Sequence, residues 1–152
     1  MRSLALVLAV AALAACQSSH SGPPPKLELV DAPAVADAAP LIATEYARAQ
    51  RDGKRLVVYV GASWCEPCRQ FHASAEAGQL DAPFGALRLL VFDDDRDNAA
   101  LEHAGYHSKL IPLFALPNPD GTSSQKQIEG SVKGADAVQQ ISPRLRALLA
   151  GA

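Results

Sequence analysis

The sequence has no surplus of positive charge. Fourteen Lys and Arg stand against 16 Asp and Glu, a net charge of −2 at pH 7, and the basic residues do not cluster. Charge therefore selects neither nucleic acid nor anionic lipid headgroups as partners. Internal repeats are absent. The apolar run Leu4–Ala15 falls short of the roughly 20 residues needed to cross a bilayer. Cysteine is scarce, with only Cys16, Cys65 and Cys68. What is present suits a folded domain: 49% hydrophobic and 20% charged residues in 152 exclude wholesale disorder and fit one domain plus tails.

Met1-Arg2 followed by the run Leu4–Ala15 has the layout of a signal peptide. The run ends in Leu13-Ala14-Ala15-Cys16, and this tetrapeptide resembles the lipobox of bacterial lipoproteins. The resemblance implies cleavage before Cys16, lipidation of that residue and attachment to a membrane of the cell envelope, facing the periplasm. Residue 17 is Gln rather than Asp, which favours the outer membrane over the inner. Lipidation would also resolve the odd cysteine count, leaving Cys65 and Cys68 as an even pair of thiols.

Residues 1–15 are thus read as signal peptide, 16–39 as lipid-attachment Cys and flexible linker, and 40–150 as the folded domain. Gln17 to Pro25 (QSSHSGPPP) reads as a tether and 31–40 as a second loose stretch, with Leu27–Val30 between them as a short edge strand. From Pro40 the pattern sharpens. Leu41, Ile42, Tyr46 and Ala49 share a helical face that Asp52-Gly53 stops. Leu56–Val60 (LVVYV) and Leu87–Phe92 (LRLLVF) read as buried strands. Between them lies a helix that ends near Gly78, and after them a short helix over 97–104. A strand over 113–116, the turn Pro117–Gly121, a polar edge strand over 124–129 and a last helix carrying Val138, Ile141, Leu145 and Leu149 complete the chain. Pro143 predicts a kink or a late restart in that helix. The order is β-α-β-α-β-α-β-β-α, an α/β class with a mixed sheet and helices on both faces.

Residues 62–69 read Ala-Ser-Trp-Cys-Glu-Pro-Cys-Arg. Two cysteines three apart at a helix start can come within disulfide reach. The first meets the free N–H groups and positive dipole of the helix N-terminus, which stabilise a thiolate. The second sits one turn in, more shielded, placed to resolve a mixed disulfide. Pro67 suits the first helical turn, and Trp64 is placed to shield one side of the sulfur.

A strand LVVYV, a short loop, WCEPC and a helix resemble the thioredoxin superfamily. Ile111-Pro112 lies at close to plain thioredoxin spacing and starts a strand, as the cis-proline of that family does. The similarity covers roughly residues 40 to 150 and implies a thioredoxin-like fold with a mixed four- to five-stranded sheet. It implies a thiol–disulfide oxidoreductase in which Cys65 attacks, Cys68 resolves, Ile111 and Pro112 position the substrate backbone, and Trp64, Glu66 and Pro67 tune the pair. No dissociable cofactor or metal is needed, because the electrons reside in the cysteines. The expected partners are cysteine-containing exported proteins and a membrane or periplasmic redox partner, with the chain acting as a monomer.

The sequence also departs from that family. The buried Asp usual six residues before the first Cys is Tyr59, and the companion Lys of the next strand is missing. A phenol is a poor base near neutral pH, which leaves deprotonation of Cys68 slow or routed through Glu66 and water. The carboxylate of Glu66 disfavours a neighbouring thiolate, and strong oxidants depend on a stable one, so the pair leans toward reduction. CEPC also resembles membrane-bound thioredoxins that reduce apocytochrome c, although their extra segment has no room here. The competing readings are a binding module without turnover, a zinc site from Cys65, Cys68, His103 and His107, and a calcium site over Asp93–Asp97. His72, one turn after Cys68, is read as an exposed helix position or as an electrostatic tuner of the pair.

Overall fold

The structure, a computed structural model, describes residues 24–151. Cys16 and the signal-like segment lie outside the described residues. In chain order the elements are β1 (Glu28–Asp31), α1 (Ala38–Arg51), β2 (Arg55–Gly61), α2 (Glu66–Glu76), α3 (Asp81–Phe84), β3 (Leu87–Asp93), α4 (Asp94–His103), β4 (Leu113–Pro117), β5 (Ser123–Glu129) and α5 (Ala137–Ala150). The sheet order is β1-β3-β2-β4-β5. β1, β3 and β2 run parallel, while β4 is antiparallel to β2 and β5 to β4.

β2 explains why the sheet needs two helical layers. Successive side chains on a strand point to opposite faces. Leu56, Val58 and Val60 join one core, with Ile42 of α1, Leu101 of α4, and Leu90 and Phe92 of β3. Val57 and Tyr59 join the other, with Phe71 of α2, Ile141 and Leu145 of α5, and Leu89 and Phe114. α1 and α4 therefore cover one face and α2 and α5 the other. Each such apolar side chain, taken fully out of water, contributes about 1.5–3 kcal/mol before entropy costs.

The boundaries that differ from the sequence reading have local causes. α1 begins two residues before Pro40 because Asp37 caps it, its carboxylate accepting from the Ala39 N–H. α4 begins at Asp94, not Asp97, because Asp93 caps it through the Arg96 N–H, and Asp94, Asp95 and Asp97 place negative charge at its positive end. α5 continues through Pro143 without a restart, held on both sides by fully buried Ile141 and Leu145. α3 is a single turn, too short to show a periodicity. The edge strand expected over Leu27–Val30 is present one residue on as β1, inside the stretch otherwise read as linker; it pairs with β3 from Glu28↔Arg88 to Asp31↔Val91, and Leu27 and Ala32 at its ends are buried. Among the described residues no helix is long and apolar enough to cross a membrane.

The turn between β4 and β5 shows one glycine at work. Gly121 has φ +85, and a Cβ there would collide with the backbone carbonyl of Ala39 in α1. Only glycine permits both the left-handed turn and this close approach.

Candidate active site

β2 delivers the chain to the C-terminal end of the parallel strands, where Ala62–Trp64 form the loop into α2. Cys65 is the N-cap of that helix, and its sulfur accepts the Cys68 N–H at 3.3 Å. Pro67 sits in the first turn, where its missing N–H costs nothing. Cys65 and Cys68 are joined by a disulfide with a Cα–Cα distance of 5.3 Å. The bond holds the Cys65 sulfur against Cys68 beneath Ala62 and Ile111, so the two residues are almost equally covered, 4% and 3% exposed. The expected contrast between an open first cysteine and a shielded second is therefore absent in the disulfide form.

The neighbours read from the sequence are gathered around this pair. The Ile111–Pro112 peptide bond is cis. Ile111 packs against Ala62, Cys65 and Cys68, while the Pro112 carbonyl accepts from Gly130 at the end of β5. Among the described residues, neither the N–H nor the carbonyl of Ile111 is tied up by a backbone bond. Trp64 does not lie folded over the sulfurs. It is 62% exposed, and its indole N–H donates to Asp95 of α4 at 2.9 Å. Glu66 turns toward the loop before α5 and accepts the Gly134 N–H at 3.1 Å. The loop is closed by Arg69, whose guanidinium donates to the Ser63 carbonyl at 2.7 Å.

Tyr59 lies beneath the pair, stacked on Phe114 at 4.9 Å between ring centres. Its hydroxyl donates to the Cys68 carbonyl at 3.1 Å. Burial pushes the phenol above its usual range, so it stays protonated and cannot serve as a base. Gly61 leaves the space for this arrangement: a Cβ there would come within 3.2 Å of the Cys68 Cβ and 3.3 Å of the Tyr59 hydroxyl.

Glu129 has a part that sequence reasoning missed. Its carboxylate accepts from the Ser108 hydroxyl at 2.6 Å and the Lys109 N–H at 3.0 Å, clamping the segment that leads into Ile111 and Pro112. Those contacts, the Ser108 hydroxyl first, hold its pKa below the ordinary value despite partial burial. The contact spans about 20 residues of chain and leaves no local pattern to find. Of the rival metal readings, the zinc set has its two sulfurs in a disulfide rather than as thiolates, and in the acidic run Asp93 is spent on capping α4.

Chemically, this disulfide can accept two electrons and two protons to become a dithiol. Breaking the disulfide places the Cys65 sulfur at a helix N-terminus facing N–H donors, a position that favours thiolate.

No protein-family model matches the sequence, and no curated protein is significantly similar to it. Among solved structures the chain is similar to a poplar thioredoxin h, at 20% identity over 82% of this chain and 96% of that one, with a TM-score of 0.46. It is also similar to a point-mutant thioredoxin from Halobacterium salinarum, at 18% identity over 82% and 94%, TM-score 0.45. A third is thioredoxin O1 of Arabidopsis thaliana in the oxidised state, at 20% identity over 82% and 96%, TM-score 0.41. Five mixed strands in the order β1-β3-β2-β4-β5, helices on both faces and a Cys pair opening α2 make this a thioredoxin-like α/β fold.

Proposed function

We propose that the chain is a thiol–disulfide oxidoreductase that acts on exported, cysteine-containing proteins and works mainly as a reductant. The observation that carries this reading is the Cys65 sulfur, which caps α2, accepts the Cys68 N–H and closes a disulfide with Cys68 beside Ile111. In the reducing direction, the Cys65 thiolate attacks a client disulfide and releases one client thiolate. Cys68 then attacks the Cys65 sulfur, releases the second client thiolate and leaves the Cys65–Cys68 disulfide for a redox partner to reduce. The Glu66 carboxylate beside Cys65 weighs against the extreme thiolate stability of strong oxidants.

Polypeptide clients are supported by the surface. Among the described residues the exposed large hydrophobic side chains are Trp64, Leu110 and Val132. Trp64 precedes Cys65, Leu110 precedes Ile111, and Val132 lies in the loop whose Gly134 N–H donates to Glu66. An apolar rim around a buried sulfur pair suits an unfolded or extended segment. The free backbone edge of Ile111 suits its main chain.

The same reading anchors the protein through a lipid on Cys16, with the site facing the periplasm. β1 runs parallel to β3 and, through it, to β2, so the chain enters the sheet at the end opposite Cys65. A tether ending there would point the cysteines away from the membrane.

The test is the Cys68→Ala variant expressed in its own envelope. Clients should accumulate as mixed disulfides on Cys65, identified by mass spectrometry. A yield no higher than that of a Cys65→Ala, Cys68→Ala control would rule the function out.

A further inference from the structure

The place where thioredoxins carry a carboxylate is filled by a phenol that stays protonated, yet Cys68 must lose a proton before it can resolve a mixed disulfide. A cavity of about 520 Å³ opens beside it, lined by Cys68, Tyr59, Gly61, His72 and Glu76 among others, while Cys65 is not part of its wall. Cys68, His72 and Glu76 follow one another at four-residue spacing on α2 and so share one face of the helix. His72 is half-buried, and its Nε2 lies 3.3 Å from Glu76 Oε1.

We propose that His72 is the proton acceptor and donor for the Cys68 thiol, exchanging with it through water in this cavity. The inference rests on the redox reading above and concerns its second step. A neutral imidazole that donates Nε2–H to Glu76 leaves Nδ1 free to accept. The Cys68 S–H proton passes through water to Nδ1, and the Cys68 thiolate attacks the Cys65 sulfur. The Cys65–Cys68 bond forms as the bond from Cys65 to the client sulfur breaks. The client sulfur leaves with the electron pair of the broken bond and takes a proton from solvent or from the imidazolium. Two thiols are oxidised to one disulfide and one client disulfide is reduced, with no further reagent.

Charged groups of both signs line this cavity with His72: Asp31 of β1, Asp93 of β3 and Glu76 of α2 against Arg69 of α2 and Arg96 of α4. Both arginines are directed elsewhere, Arg69 to the Ser63 carbonyl and Arg96 to Asp97 and the Ala32 carbonyl. On the other flank of His72, a second cleft adds Lys26 and Asp81 to Asp31 and Glu76, one positive charge against three negative.

The two steps can be timed separately with dithiobis(nitrobenzoate). The reduced protein releases one aryl thiolate when Cys65 attacks and a second when Cys68 resolves. In His72→Gln the first phase should be unchanged, while the second slows about tenfold at neutral pH and its pH profile changes from that of the wild type. Added imidazole should restore the second phase in His72→Ala. Thermal melts verify that both variants fold, as expected for a half-buried helix position. A second phase with wild-type rate and pH profile in His72→Gln, or His72→Ala that imidazole does not rescue, would overturn the proposal. Absence of the first phase in the wild-type protein would instead defeat the redox reading itself.

Discussion

The Tyr59 hydroxyl donates to the carbonyl oxygen of Cys68 at 3.1 Å, so the residue beneath the redox pair holds the backbone of the active-site helix and is not a base. Tyr59→Phe removes that bond and leaves a buried carbonyl without its partner. Chemical denaturation should show a loss of about 1–2 kcal/mol. The pH dependence of thiol–disulfide exchange should stay as in wild type. A lost inflection in that profile would mean that the phenol titrates in the cycle.

Gly61 leaves no room for a side chain beside Cys68. Cys68 is fixed by its helix and its disulfide, and Tyr59 by its ring stacking, so neither can yield to a Cβ at 3.2–3.3 Å. Gly61→Ala should cost about 1–3 kcal/mol by overpacking and slow closure of the disulfide. Thermal melts of the oxidised and reduced forms check this, with the larger loss expected in the oxidised form.

The Glu129 clamp on Ser108 and Lys109 should depend on pH. Its folded pKa is lowered, so the carboxylate contributes stability above its ordinary value of 4.5 and loses it as the pH falls through the lower folded value. The Lys109 amide proton resonance should move with a midpoint below 4.5 in wild type and stay flat in Glu129→Gln. A midpoint at or above that value would contradict the hydrogen bonding described.

Trp64 is 62% exposed, and the proposed function assigns it to client binding. Trp64→Ala should weaken binding of a protein disulfide by about 1 kcal/mol, roughly fivefold in KM, while exchange with a small aromatic disulfide keeps its rate. Steady-state kinetics with both substrates separate the two. An equal loss on both would place Trp64 in the chemistry instead.

Most of the fold was legible because its signals are local. LVVYV shows no alternation, as expected for a strand whose two faces each meet a helical layer, and Leu56, Val58 and Val60 part from Val57 and Tyr59 in the structure accordingly. The pairing of CxxC with Ile111-Pro112 was legible through resemblance. What escaped the reading is set by contacts distant in sequence. Trp64 is drawn away from the cysteines by Asp95 on α4. Glu129 reaches back to Ser108 across about 20 residues of chain. The alternation over Leu27–Val30, by contrast, did announce the edge strand, which lies one residue on as β1 and pairs with β3. The early start of α4 was readable in principle, since Asp93 is a good N-cap, but a run of acidic residues gives several candidates for that position.

On the proposed function, the bond between Cys65 and Cys68 is exchanged rather than structural. The direct measurement is the equilibrium of that bond against dithiothreitol and glutathione buffers, with both thiols counted by alkylation and mass spectrometry. One two-electron transition is expected, with both thiols appearing together at a potential nearer about −270 mV than about −120 mV. A bond that stays closed below about −300 mV, the range of structural disulfides, would contradict it.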